Sequence, residues 1–109
     1  MRDSKRLRLL TDAIKKIDKI TGIRILNRDS SFIDFPFPAY IHSGKNNTVE
    51  ITFDESPAVC TLNVQDIEWV RTKSNYVKIS LNDKNYKAIF LYTTDYHLIE
   101  NFNRSFNDD

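Results

Sequence analysis

From Ser4 to Thr21 the apolar residues Leu7, Leu10, Ile14 and Ile17 recur at three- and four-residue steps, and Leu9, Ala13 and Ile20 widen the stripe. That spacing gathers one apolar side chain per turn on a common face, which reads as an amphipathic helix. Lys5, Arg8, Asp12, Lys15, Lys16 and Lys19 fall on the opposite side. Asp3 or Ser4 suits the N-cap, and Gly22 suits the left-handed residue that closes a helix. The stripe can pack on a sheet or form a dimer seam, but it is too short for a sustained coiled coil.

Beyond Gly22 the period shortens to two, the mark of strands with one covered and one wet face. Ile23 to Asn27 and Ser31 to Phe35 read as a hairpin turning at Arg28 to Ser30. Pro36 and Pro38 bracket Phe37 and cannot donate ladder hydrogen bonds, which places this piece in a loop or on an edge. Tyr40 to His42 continues as a short strand. Further strands are expected at Thr48 to Phe53, Ala58 to Asn63, Ile67 to Arg71, Tyr76 to Leu81 and Tyr86 to Tyr92. In the fourth of these regions Val77, Ile79 and Leu81 alternate with Tyr76, Lys78 and Ser80, so the second set is expected to be wet. The strand from Tyr86 is apolar on both sides, as a central strand covered by the helix would be. Thr93 or Thr94 can cap a short helix from Asp95 to Asn103.

Two glycines serve all these turns, so asparagine is expected to supply left-handed backbone in their place. The architecture predicted is α+β, one domain over residues 1–109. An N-terminal amphipathic helix packs on a bent antiparallel sheet or partly open barrel, with a short C-terminal helix. Composition agrees with a folded chain. Hydrophobic residues make up 40% and charged residues 28%, and seven Phe, five Tyr and one Trp supply bulky core anchors.

Charge is unevenly spread. Through Arg28 nine Lys and Arg stand against three Asp and Glu; beyond it seven stand against twelve. A basic N-terminal helix admits three readings: a phosphate-binding face, a docking face for an acidic protein, or a solvated lysine-rich surface. The opening MRDSKRLRLL threads charges through its apolar residues, unlike a secretory signal, and no run is long enough to span a membrane. One cysteine, Cys60, forms no internal disulfide, which fits a reducing cytoplasm.

Candidate chemistry is sparse. Cys60 with His42 or His97 is the available thiol–imidazole combination, yet Cys60 sits mid-strand, where cysteine acts as a small hydrophobe. The two histidines lack neighbours at ligand spacing, so no metal or other cofactor is expected. No phosphate-cradling loop, dinucleotide fingerprint, nucleophile elbow or zinc-protease helix is present, and a non-enzymatic role is expected. The aromatic run Phe32 to Tyr40 is a different signal, whose rings can simply fill the core under the helix. Alternation there buries some rings and exposes others, which can stack on unpaired bases or anchor a partner.

Leu62 to Phe106 carries Asp66-Ile67, then Asn75-Tyr76-Val77-Lys78-Ile79, and finally Arg104-Ser105-Phe106 after Phe102. This order resembles the LytTR-type DNA-binding domain of bacterial response regulators. The resemblance implies a mostly β domain whose loops enter successive major grooves, with Arg104 and Asn103 as candidate DNA contacts. Asn103 stands where that family often has histidine, and the basic N-terminal helix lies outside the family pattern.

Taken together, the residues point to a small cytoplasmic regulator that binds nucleic acid without catalysis. Lys5, Arg8, Lys15, Lys16 and Lys19 would meet phosphates, and Phe37, Tyr40 and Arg104 are further candidate contacts. The alternative is a protein-binding module or inhibitor, of the kind a phage or mobile element carries, that meets an acidic host protein. The sequence leaves a dimer open.

Overall fold

A computed structural model describes residues 3–17 and 19–93. It comprises one helix, α1 (Asp3–Lys15), and eight strands: β1 (Gly22–Asn27), β2 (Phe32–Phe35), β3 (Ala39–Ser43), β4 (Thr48–Phe53), β5 (Val59–Asn63), β6 (Ile67–Thr72), β7 (Tyr76–Leu81) and β8 (Tyr86–Tyr92). A single 3₁₀ turn, Val64–Asp66, links β5 to β6. The expected helix from Asp95 to Asn103 lies outside the described residues, as does Arg104.

The strands form two antiparallel sheets. Five run in the order β2-β1-β8-β7-β6 and three in the order β3-β4-β5. The sheets do not close into a barrel. Strand limits follow the alternation closely, but the division into two sheets was not written in it: Pro36 and Pro38 break the ladder between β2 and β3, and the chain starts a second sheet there.

Ile23 and Ile25 of β1, Val77 and Ile79 of β7, and Ile89 and Leu91 of β8 share one apolar core with Val49 and Ile51 of β4 and Leu62 of β5. Both sheets thus cover the same core. β4 alternates cleanly, with Val49, Ile51 and Phe53 buried between half-buried Thr48, Glu50 and Thr52. β8 is central, as its two-sided apolar sequence predicted.

Three expectations are corrected. The helix ends at Lys15, short of Thr21, where the Lys16 and Ile17 N–H groups donate to Ala13 and Ile14 three residues back and tighten the last turn. Ile20 then bridges to Ala39, and Gly22 opens β1 without a positive φ, so it is not a helix cap. The helix does not cover β8. It packs against β6 and the 3₁₀ turn, with Leu10 and Ala13 buried.

The third correction concerns the face of β7 expected to be wet. Tyr76 and Lys78 are buried and join Leu26, Ala88, Phe90 and Tyr92 on the second face of the larger sheet. Lysine tolerates this because its methylene stem is apolar: the Lys78 ammonium lies 5.7 Å from the Phe90 ring centre. Tyr76 meets the same ring edge-on at 5.6 Å.

Turn chemistry follows the asparagine expectation at one hairpin. Asn46 and Asn47 have φ of 56° and 60°, and Ser30 takes the same region at 72° in the β1–β2 turn. Gly44 has a steric role: a Cβ there would run into Thr48 Oγ1.

Candidate functional site

Two adjoining hollows of about 210 and 490 Å³ run between α1 and β3. Ile14, Ile41 and His42 line both, so the hollows form one groove. Its floor is apolar because α1 turns only Leu10 and Ala13 fully inward, leaving Ile14 and Ile17 part-covered beside β3. β3 is the outer strand of its sheet, bridged on its free side by Ile20 at Ala39.

Charge enters from the wall made by α1 and the segment that follows it. Lys15 lines the first hollow and Lys19 the second, both exposed. Tyr40 and His42 project from alternate positions of β3 on the other wall. Tyr40 is 50% exposed, which suits it to stacking. Its hydroxyl donates to Asp54 Oδ2 at 2.9 Å, and that carboxylate holds the phenol above its ordinary pKa, through the hydrogen bond first and its charge second. His42 Nε2 lies 3.0 Å from Thr52 Oγ1.

The structure therefore brings together Lys15, Lys19 and Tyr40 of the residues singled out in the sequence. Lys5, Arg8 and Lys16 are exposed but line neither hollow. Phe37 is half-buried against the core and acts as a packing residue. In the sequence His42 reads only as a candidate thiol partner or metal ligand and Asp54 as part of a solvated carboxylate pair in a turn, so neither is placed in a binding groove. Alternation along β3 puts Tyr40 and His42 on one face, which was the available signal for the histidine.

Ile67, Tyr76 and Val77 of the LytTR-like pattern belong to the scaffold. Ile67 and Val77 are fully buried and Tyr76 nearly so.

Cys60 is the second residue of β5, half-buried, and burial pushes its thiol pKa up, away from the reactive thiolate. Among the described residues no group of three His, Cys, Asp or Glu is placed to hold a metal, and no helix is long and apolar enough to cross a membrane. Comparison with known proteins finds no matching family model, no matching curated protein and no matching solved structure, so the functional reading rests on the chain's own geometry.

Proposed function

We propose that the protein is a non-catalytic regulator that binds single-stranded nucleic acid along the groove between α1 and β3. One observation carries this reading: Lys15 and Lys19 stand on one wall and the half-exposed Tyr40 on the other. Cations spaced along a groove track a phosphate backbone, and an exposed ring gives an unpaired base a stacking surface. Lys5, Arg8 and Lys16 extend the positive potential along the helix and act at longer range. Binding of this kind is strongly salt-dependent and weakly selective for sequence.

Titration of labelled single-stranded and duplex oligonucleotides across a salt series tests the proposal. Lys15→Ala and Lys19→Ala each reduce the slope of log K against log salt by roughly 0.7, the single-strand value per phosphate contact. Tyr40→Ala weakens binding by roughly 1 to 3 kcal/mol if one base stacks there. No binding at low salt refutes the reading. Preference for duplex would instead favour the LytTR-like mode, in which Asn103 and Arg104 make the contacts.

A second reading is favoured by the edge position of β3. An acidic extended segment of a partner protein can add to such an edge as a further strand, with the same lysines meeting its carboxylates. Capture of a stoichiometric protein after nuclease treatment separates this module from the nucleic-acid binder.

A further inference from the structure

The three-stranded sheet has a second edge, β5, and beside it the core is open. A cleft of about 360 Å³ enters between β5 and the β1–β2 hairpin, within the roughly 300 to 1,000 Å³ usual for small-molecule pockets. No residue of α1 lines it. Ile25, Phe35, Leu62 and Ile89 form apolar walls, with the half-buried Cys60 between them.

Three of the large apolar residues that the protein exposes stand in this one lining. Ile33 is 42% exposed, Val59 57% and Tyr86 42%. Scattered singly they would need no explanation; gathered around one apolar cleft they mark a surface suited to a ligand's hydrocarbon.

The opposite character appears at one end. Asn63, Asp66 and Asp83 lie where the 3₁₀ turn meets the β7–β8 turn, a junction tied by the Asn82 N–H donating to the Asp66 carbonyl at 2.8 Å. Arg28 reaches this junction, donating to the backbone oxygens of Asp83 and Leu81, and its charge and that of Lys84 act on the Asp83 carboxylate, which also accepts from the Asn85 and Tyr86 N–H groups; neither cation lines the cleft. The charged side chains in the described lining are therefore both carboxylates.

We infer that the cleft beside β5 binds a small cationic amphiphile, its hydrocarbon lying between Phe35 and Leu62 and its amine meeting Asp66 and Asp83. Apolar walls supply the affinity, and the two carboxylates orient the head and reject anions. This site is separate from the groove at α1, so its failure would leave the nucleic-acid reading intact.

Hexylamine, hexanol and hexanoate share a chain and differ in the head, which makes them suitable probes. Backbone amide spectra of the whole chain should show saturable shifts at Cys60, Leu62 and Ile89 with hexylamine, which should bind roughly tenfold tighter than hexanoate. Iodoacetamide labelling of Cys60 should slow as hexylamine fills the cleft. Asp66→Asn should remove most of the amine's advantage while leaving hexanol binding unchanged. The ranking of the three probes needs no variant, so it stands even if a substitution disturbs the fold. Absence of saturable shifts at these residues, equal affinity for amine and carboxylate, or an amine preference that survives Asp66→Asn would overturn the assignment.

Discussion

Arg24 on β1 stands directly opposite Asp34 on β2, its Nε donating to Oδ1 at 2.6 Å and its Nη2 to Oδ2 at 3.1 Å. The same guanidinium carbon lies 4.5 Å from the Phe32 ring centre, which makes the hairpin edge a cation–π contact as well. The Arg24 side chain is 9% exposed, whereas the Asp34 side chain keeps 36% of its surface in water. Solvent screening on one partner places the pair between a surface salt bridge and a buried one. Asp34→Ala should therefore destabilise the fold by about 1 to 3 kcal/mol in urea unfolding. A change under about 0.5 kcal/mol would put the pair in the surface class.

Helix docking supplies a sharper contrast. Leu10 is 1% exposed and Leu7 36%, although both belong to the same stripe. Leu10→Ala should cost about 2 to 5 kcal/mol, because a cavity is added to the lost transfer energy. Leu7→Ala, which removes a side chain already partly wet, should cost under about 1 kcal/mol. Equal losses would mean that α1 is turned about its axis relative to β6.

How far the sequence foretold this structure depends on whether local spacing or long-range pairing decides each feature. The strands from Thr48 to Tyr92 were legible because alternating side chains reveal a half-covered face within a few residues. Lys78 defeated that rule, since burial of a lysine depends on a ring, Phe90, brought beside it by the β7–β8 pairing. The helix position was equally non-local: an apolar stripe says that something covers it, and only the fold selects β6 over β8. At the candidate groove Lys15, Lys19 and Tyr40 were visible as types. What joined them, and left Lys5, Arg8 and Lys16 outside, was the placement of α1 and the segment after it beside β3.

Acid should weaken two turns in a specific way. The Asn85 N–H, then the Tyr86 N–H, donates to the Asp83 carboxylate and holds its pKa below the ordinary value, with Arg28 and Lys84 adding to the effect against slight desolvation. Asp29 is lowered likewise, by the Ser31 hydroxyl first and its N–H second. A depressed folded-state pKa stabilises fully above the unfolded value, and that contribution disappears as pH falls through the folded value. Carboxyl-carbon shifts should accordingly give midpoints below 3.8, the reference value, for both residues. Asp83→Asn should lower stability at neutral pH and have little effect in acid; an equal loss at both would assign its role to packing.

Gly44 and Thr48 form a coupled pair at the β3–β4 turn. Thr48 Oγ1 donates to the Lys45 carbonyl at 2.6 Å and occupies the space that a Cβ on residue 44 would need. Gly44→Ala should destabilise by about 1 to 3 kcal/mol through overpacking. In a Thr48→Ala background the added methyl loses its nearest obstacle, so the same substitution should cost less. Additive effects in the double variant would show that the two residues do not compete for one space.

Asp54 places the one carboxylate among the described residues of the binding groove, and it touches the ring proposed to stack on bases. Asp54→Asn removes both the hydrogen-bond acceptor's charge and its repulsion of phosphate. Because the raised Tyr40 pKa comes first from that hydrogen bond and then from the charge, the phenol should titrate closer to 10.0 in the variant, measured by phenolate absorbance. Oligonucleotide affinity should rise by roughly two- to fivefold at low salt, with the gain fading as ionic strength increases. An acidic protein segment in the same groove would gain similarly, but a neutral peptide would not. Should the phenol shift while oligonucleotide affinity stays unchanged, Tyr40 and Asp54 interact as described, and nucleic acid does not occupy the groove.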